Sequence, residues 1–242
     1  MSGLSLKDHY KNQKFNNLHE FFWGFGTAFH TVYAVVPLFL KELGAPNVIA
    51  TSSAGLFSII IAMPMLFTAA LTRNVTNIKK MVISAHCTIL IVTFILGYIF
   101  TFSGIGKSLI AWKIYFILFI IYSLSIGIIV PIWADFLEKT TKRSLRGKFF
   151  GVGFAFNSLG AFGGGILLKF LLETSIPFPK NFGYGFIILF FCLSIGTFFF
   201  AFYKEKKQNK SNTSFNQFKI ETKQIIKNRP NFHRYLFLFV LL

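Results

Sequence analysis

Acid is scarce in this sequence. Eight Asp and Glu stand against 25 Lys and Arg, giving a formal charge of +17. Charged residues of both signs make up only 14% of the chain, where soluble domains carry about a quarter. Cysteine is scarcer still: Cys87 and Cys192 both fall inside apolar runs. They read as small hydrophobes in a core or against lipid, and exclude a disulfide framework. His9, His19, His30, His86 and His233 are scattered without metal-ligand spacing, so no metal or other cofactor is implied. Strict apolar–polar alternation is missing too, which excludes a membrane β-barrel. The excess of cations would suit nucleic acid, but they lie in loops between apolar runs rather than along one solvated face, so nucleic acid is not the expected partner.

Long uncharged apolar stretches are abundant. Hydrophobic residues are 54% of the chain and mean hydropathy is +0.60. About 20 mainly apolar residues are needed to cross the hydrocarbon layer, and the charges punctuate the chain at that interval. Six spans are expected, at 21–40, 49–72, 81–102, 114–134, 149–168 and 181–203. Each is expected to be helical, because a lone span in lipid must satisfy its own backbone hydrogen bonds. The fold class is therefore all-α, a polytopic helical bundle in the lipid bilayer.

Around it the chain divides into a polar N-terminal tail (1–18), the six-helix bundle (19–203), a basic linker (204–230) and a rising apolar stretch (231–242) that reads as the truncated start of a seventh helix. Within the linker, 215–226 could form a short amphipathic helix on the membrane surface. The first apolar run is full length with no small-residue cleavage site after it, so it reads as the insertion signal itself and not as a removable leader.

Lys and Arg sort by side. Lys7, Lys11 and Lys14, then Arg73, Lys79 and Lys80, then Lys139, Lys142, Arg143, Arg146 and Lys148, and the dense run from Lys204 to Arg229 all fall on one side of the bundle. Only Lys41, Lys107, Lys113, Lys169 and Lys180 fall on the other. The crowded side is expected to be cytoplasmic, with the N-terminus inside, in the cell (inner) membrane.

Several motifs fail. GIGKS at 104–108 lacks the first glycine of a phosphate-binding loop, which would stand at Thr101. No Gly-x-Ser-Gly of an intramembrane protease occurs. Only Asp135, Glu138 and the neighbouring cations converge at one face, with no nucleophile beside them, so an enzyme is not expected.

The run PIWADFLEKTTKRSLRGKFFG at 131–151, followed by the glycine-rich GVGFAFNSLGAFGGGILL, resembles the end of the fourth helix, the next loop and the fifth helix of the major facilitator superfamily. Trp133, Asp135, Arg146, Gly147 and Gly151 carry the likeness. Six helices, a basic linker and the onset of a seventh match that family's plan over roughly residues 18–242. Two positions depart from it. In the loop AALTRNVTNIKKMVI, Arg73 stands where the family has an acid and the glycines are missing. Ser123 stands four residues before Gly127, where the proton-antiport signature has Arg.

The resemblance implies the N-terminal half of a transporter that moves a small solute by alternating access and needs a C-terminal six-helix half. It places the first and fourth helices on the central cavity. Trp23, Thr27 and His30 recur on one helical face with Glu20, and Tyr33 follows His30. With Tyr122, Ser125 and Trp133 on the fourth helix and Asn157 on the fifth, these are the candidate cavity residues. Glu20 reads as a helix-end charge. Arg73, Asp135, Glu138, Arg143 and Arg146 are the candidate gate on the cytoplasmic face. Gly147 with Gly151, and Gly160 with Gly164, are spaced to let two helices approach closely. The cavity candidates favour an uncharged or weakly ionic solute. A six-helix scaffold or subunit without transport activity is the alternative, and a membrane enzyme ranks below it.

Overall fold

The computed structural model describes residues 4–72, 75–105, 108–205, 215–228 and 231. Among these the chain is all-helical, with no strand. The helices are α1 (Leu6–Thr27), α2 (Val35–Glu42), α3 (Asn47–Thr51), α4 (Ser53–Thr72), α5 (Ile78–Phe102), α6 (Ala111–Thr140), α7 (Arg146–Glu173), α8 (Lys180–Phe199) and α9 (Phe215–Asn228). Six segments are long and apolar enough to cross a membrane: α1 with α2, then α4, α5, α6, α7 and α8. They mark a multi-pass membrane protein. α9 lies in the expected linker; residues 232–242, read as the start of a seventh helix, fall outside the described residues.

The first span differs from its sequence reading at both ends. It begins at Leu6, deep within the segment read as a tail, with Ser5 capping it by accepting a hydrogen bond from the Asp8 amide. It breaks after the 3₁₀ turn Ala28–His30 and resumes at Val35. Pro37 accounts for the break: it has no N–H, and its ring would clash with the carbonyl one turn earlier. Thr31 turns extended there, and its hydroxyl accepts from the Val35 amide, the first of α2, at 3.2 Å.

Packing within the bundle is regular. The extensive contacts are first span with fifth, second with fourth, third with sixth, first with sixth, and third with fourth. Exchanging spans one to three with spans four to six maps this set of pairs onto itself. The glycines obey the same exchange. At the first–fifth crossing a Cβ on Gly24 would collide with the Asn157 backbone, and one on Gly160 with the Phe21 backbone. At the second–fourth crossing a Cβ on Gly127 would collide with the Ile61 carbonyl and Pro64. At the self-mapped third–sixth crossing, Gly97 abuts Ile187 and Gly183 abuts Phe100 and Thr101. Each three-helix unit has an odd number of spans, so the second unit runs through the layer inverted relative to the first.

The second and fifth spans also correspond in exposure. Only 6% of the most apolar stretch of α4 and 11% of that of α7 are buried, against 44% or 50% for the other four. Their outward residues, such as Ile59, Met63 and Phe67 on α4 and Leu159, Phe162 and Phe170 on α7, are large and apolar, as a lipid-facing or helix-facing surface requires.

Candidate functional site

Two regions follow one another along the bundle. In the half away from the basic loops, Phe39 packs edge-to-face on Phe100, Tyr115 and Phe186 and tilted on Phe182, while Tyr115 and Phe186 stack. His30 is embedded in this plug. Its Nε2 lies 3.1 Å from the Tyr115 hydroxyl, and its ring lies 4.4 Å from that of Tyr122.

In the half nearer the basic loops, a cavity of about 230 Å³ opens between the first, third, fourth and fifth spans. It is lined by His19, Glu20, Trp23, His86, Ile126, Ile129, Val130, Trp133, Phe154 and Asn157. Glu20 is 5% exposed. Asn157 donates from Nδ2 to its carboxylate at 3.1 Å and to its backbone carbonyl at 3.3 Å. Among the described residues no cation pairs with Glu20. A buried carboxyl group held by a single neutral amide is costly to ionise unless a cation comes to balance it.

The two histidines are aligned by backbone carbonyls. His19 Nδ1 lies 3.1 Å from Gly196 O, and His86 Nδ1 lies 2.7 Å from Val82 O. A carbonyl only accepts, so the proton sits on each Nδ1, and in the neutral ring Nε2 is left as an acceptor. Trp23 braces both rings, at centroid distances of 5.5 Å and 5.2 Å. The Trp133 indole N–H is buried without a partner. Among the described residues no group of His, Cys, Asp and Glu is arranged to hold a metal ion.

Of the expected cavity residues, Trp23, Trp133 and Asn157 line this space. Thr27 turns back to bond the Gly24 carbonyl, and Ser125 bonds the Ile121 carbonyl in its own helix. His30 and Tyr122 lie in the aromatic plug, and Tyr33 is 80% exposed. Glu20, His19 and His86 come to the cavity without having been expected there. Glu20 shares its helical face with Trp23, which is the signal that could have found it; His86 carries no such mark on the third span.

The gate candidates form local pairs. Asp135 holds Lys139 at 2.7 Å one turn away, and Arg146 reaches Glu138 at 3.1 Å. Arg143 sits in the 3₁₀ turn Arg143–Leu145. Arg73 lies outside the described residues. The close glycine approach occurs at Gly160 and Gly164, both against α1, whereas a Cβ on Gly147 or Gly151 would meet nothing within 4 Å.

Beneath the cavity a polar clasp closes the basic end. Asn12 donates to Thr140 O at 2.8 Å and Lys204 O at 2.7 Å and accepts from the Lys204 amide at 2.8 Å. The Tyr203 hydroxyl donates to Asn16, and Lys79 reaches the Ala201 and Tyr203 carbonyls. Asn12 and Asn16 lie in the segment expected as a tail and are buried in α1.

No protein-family model, curated protein or solved structure matches the chain.

Proposed function

We propose that the chain is one half of a secondary transporter that carries a small solute across the membrane by alternating access. The observation that carries this reading is the exchange symmetry of the packing. An inverted pair of three-helix units is the architecture that lets a bundle present equivalent walls to the two sides of a membrane. The resemblance at residues 131–165 to the major facilitator superfamily points the same way. So does the position of the cavity, walled by the first and fourth spans, which the exchange maps onto each other, and by parts of the third and fifth.

The thinly buried α4 and α7 flank this wall and offer apolar faces to a C-terminal six-helix half. The basic end, with residues 4–18 and the loops after the second and fourth spans, faces the cytoplasm by the distribution of Lys and Arg.

Reconstitution in liposomes tests the reading. The 242-residue chain alone should give no saturable uptake, and uptake should appear when it is joined to a C-terminal half. A cysteine placed at Ile126 should then react with an impermeant maleimide from either side in turn. Saturable uptake by the monomer, or reactivity from one side only in the joined protein, would overturn it.

A further inference from the structure

The cavity has a definite chemical polarity. Its polar groups are overwhelmingly acceptors. Glu20 contributes a buried carboxylate with no cationic partner among the described residues. His19 and His86 each spend their Nδ1 proton on a backbone carbonyl, which leaves Nε2 as a lone-pair acceptor in the neutral ring. Asn157 commits Nδ2 to Glu20, leaving its side-chain carbonyl as a further acceptor. The walls between these groups are aromatic: Trp23, Trp133 and Phe154.

A carboxylate among acceptors and π-faces disfavours an anion three ways: by charge, by the scarcity of donors, which are the two indole N–H groups, and by the negative ring faces. The same set suits a cation that carries N–H donors, because carboxylate, imidazole and indole each stabilise it. The Trp133 indole N–H, buried without a partner, would take an oxygen on the same ligand. At about 230 Å³ the space fits a small molecule and not a drug-sized one.

We infer that this cavity binds a small organic ammonium ion, with Glu20 as its counter-charge and Trp23 and Trp133 as its aromatic walls. On the transport reading above, that ion is the cargo. The binding claim itself needs only the cavity.

Three probes with one carbon skeleton separate charge from shape: 3,3-dimethylbutylammonium, 3,3-dimethylbutan-1-ol and 3,3-dimethylbutanoate. Each is titrated calorimetrically into the full chain in nanodiscs, with empty nanodiscs as the blank. The ammonium should bind saturably and about tenfold or more tighter than the alcohol, the preference a charge-assisted contact supplies, and the carboxylate should not bind.

Glu20→Gln should bring ammonium and alcohol to within about threefold of each other, because the charge is gone while the shape remains. Glu20→Asp should keep the preference, which separates loss of charge from loss of fold. Equal binding of ammonium and alcohol by the wild type, tighter binding of the carboxylate, absence of ammonium binding, or an unchanged preference in Glu20→Gln would each overturn the inference. Ammonium binding by a chain that fails every uptake assay would leave the site standing and remove the transporter reading. Uptake of an uncharged solute without ammonium binding would do the reverse.

Discussion

Replacing Gly160 with Ala places one methyl group where the structure has no room for it. The added Cβ would collide with the Phe21 carbonyl and press on the Phe25 amide. Both are backbone atoms in the middle of a helix, so no side chain can swing aside and the two spans must separate. Overpacking of this kind costs about 1–3 kcal/mol, and a rigid contact belongs at the upper end. Alanine recovers about 1 kcal/mol of helix propensity over glycine.

The net loss is therefore about 2 kcal/mol, which for a chain of this size lowers Tm by about 4–8 °C. Gly165 is the internal control. It lies in the same helix, five residues on, and a Cβ there meets nothing within 4 Å. Gly165→Ala should leave Tm unchanged or raise it by up to about 4 °C. Thermal unfolding of both variants in one detergent, followed by size-exclusion of the folded fraction, reads the difference. A Gly160→Ala protein as stable as wild type, or a Gly165→Ala protein equally weakened, would refute the close crossing of the first and fifth spans.

The clasp at the basic end gives a second test. Asn12→Ala removes three hydrogen bonds and leaves Thr140 O and both polar groups of Lys204 without this partner. The loss should be about 1–3 kcal/mol, read as a lowered Tm and faster trypsin cleavage after Lys204. Topology gives a third. Cysteines at Lys80 and Lys142 should be labelled by an impermeant reagent from the same side of sealed vesicles, and one at Lys113 from the other side only; labelling of Lys80 and Lys142 from opposite sides would contradict six membrane crossings.

The spans were legible because lipid imposes length and the absence of charge, and both are visible in a single sequence. The runs at 81–102 and 181–203 lie within or beside α5 and the α8 segment. Four-residue glycine spacing marked Gly160 and Gly164, which lie at the crossing, but equally marked Gly147 and Gly151, which approach nothing. The helix over residues 6–18 was not legible. His9, Asn12 and Asn16 are buried and polar, and hydropathy assigns such residues to water. The partners of Asn12 are backbone groups 128 and 192 residues away, that of His9 is the Lys142 amide and that of Asn16 is the Tyr203 hydroxyl, which no local pattern announces. The cavity was half legible. Trp23 and Trp133 stand out by size and position, but Glu20 looks like a helix-end charge until the fifth span delivers Asn157 to it.

The ties from Asn12 and Asn16 to Tyr203 and Lys204 also set an order of assembly. The residues that leave the ribosome first meet Thr140 and Lys142 once the fourth span is in place, and complete their bonds at Tyr203 and Lys204 only after the sixth has been inserted. Until then the start of the first helix has water for company, and the completed bundle is the first species in which it can dry out. A chain ending before Tyr203 would hold its opening residues more open to protease, while one extended past Lys204 would seal the start of the first span against the end of the sixth.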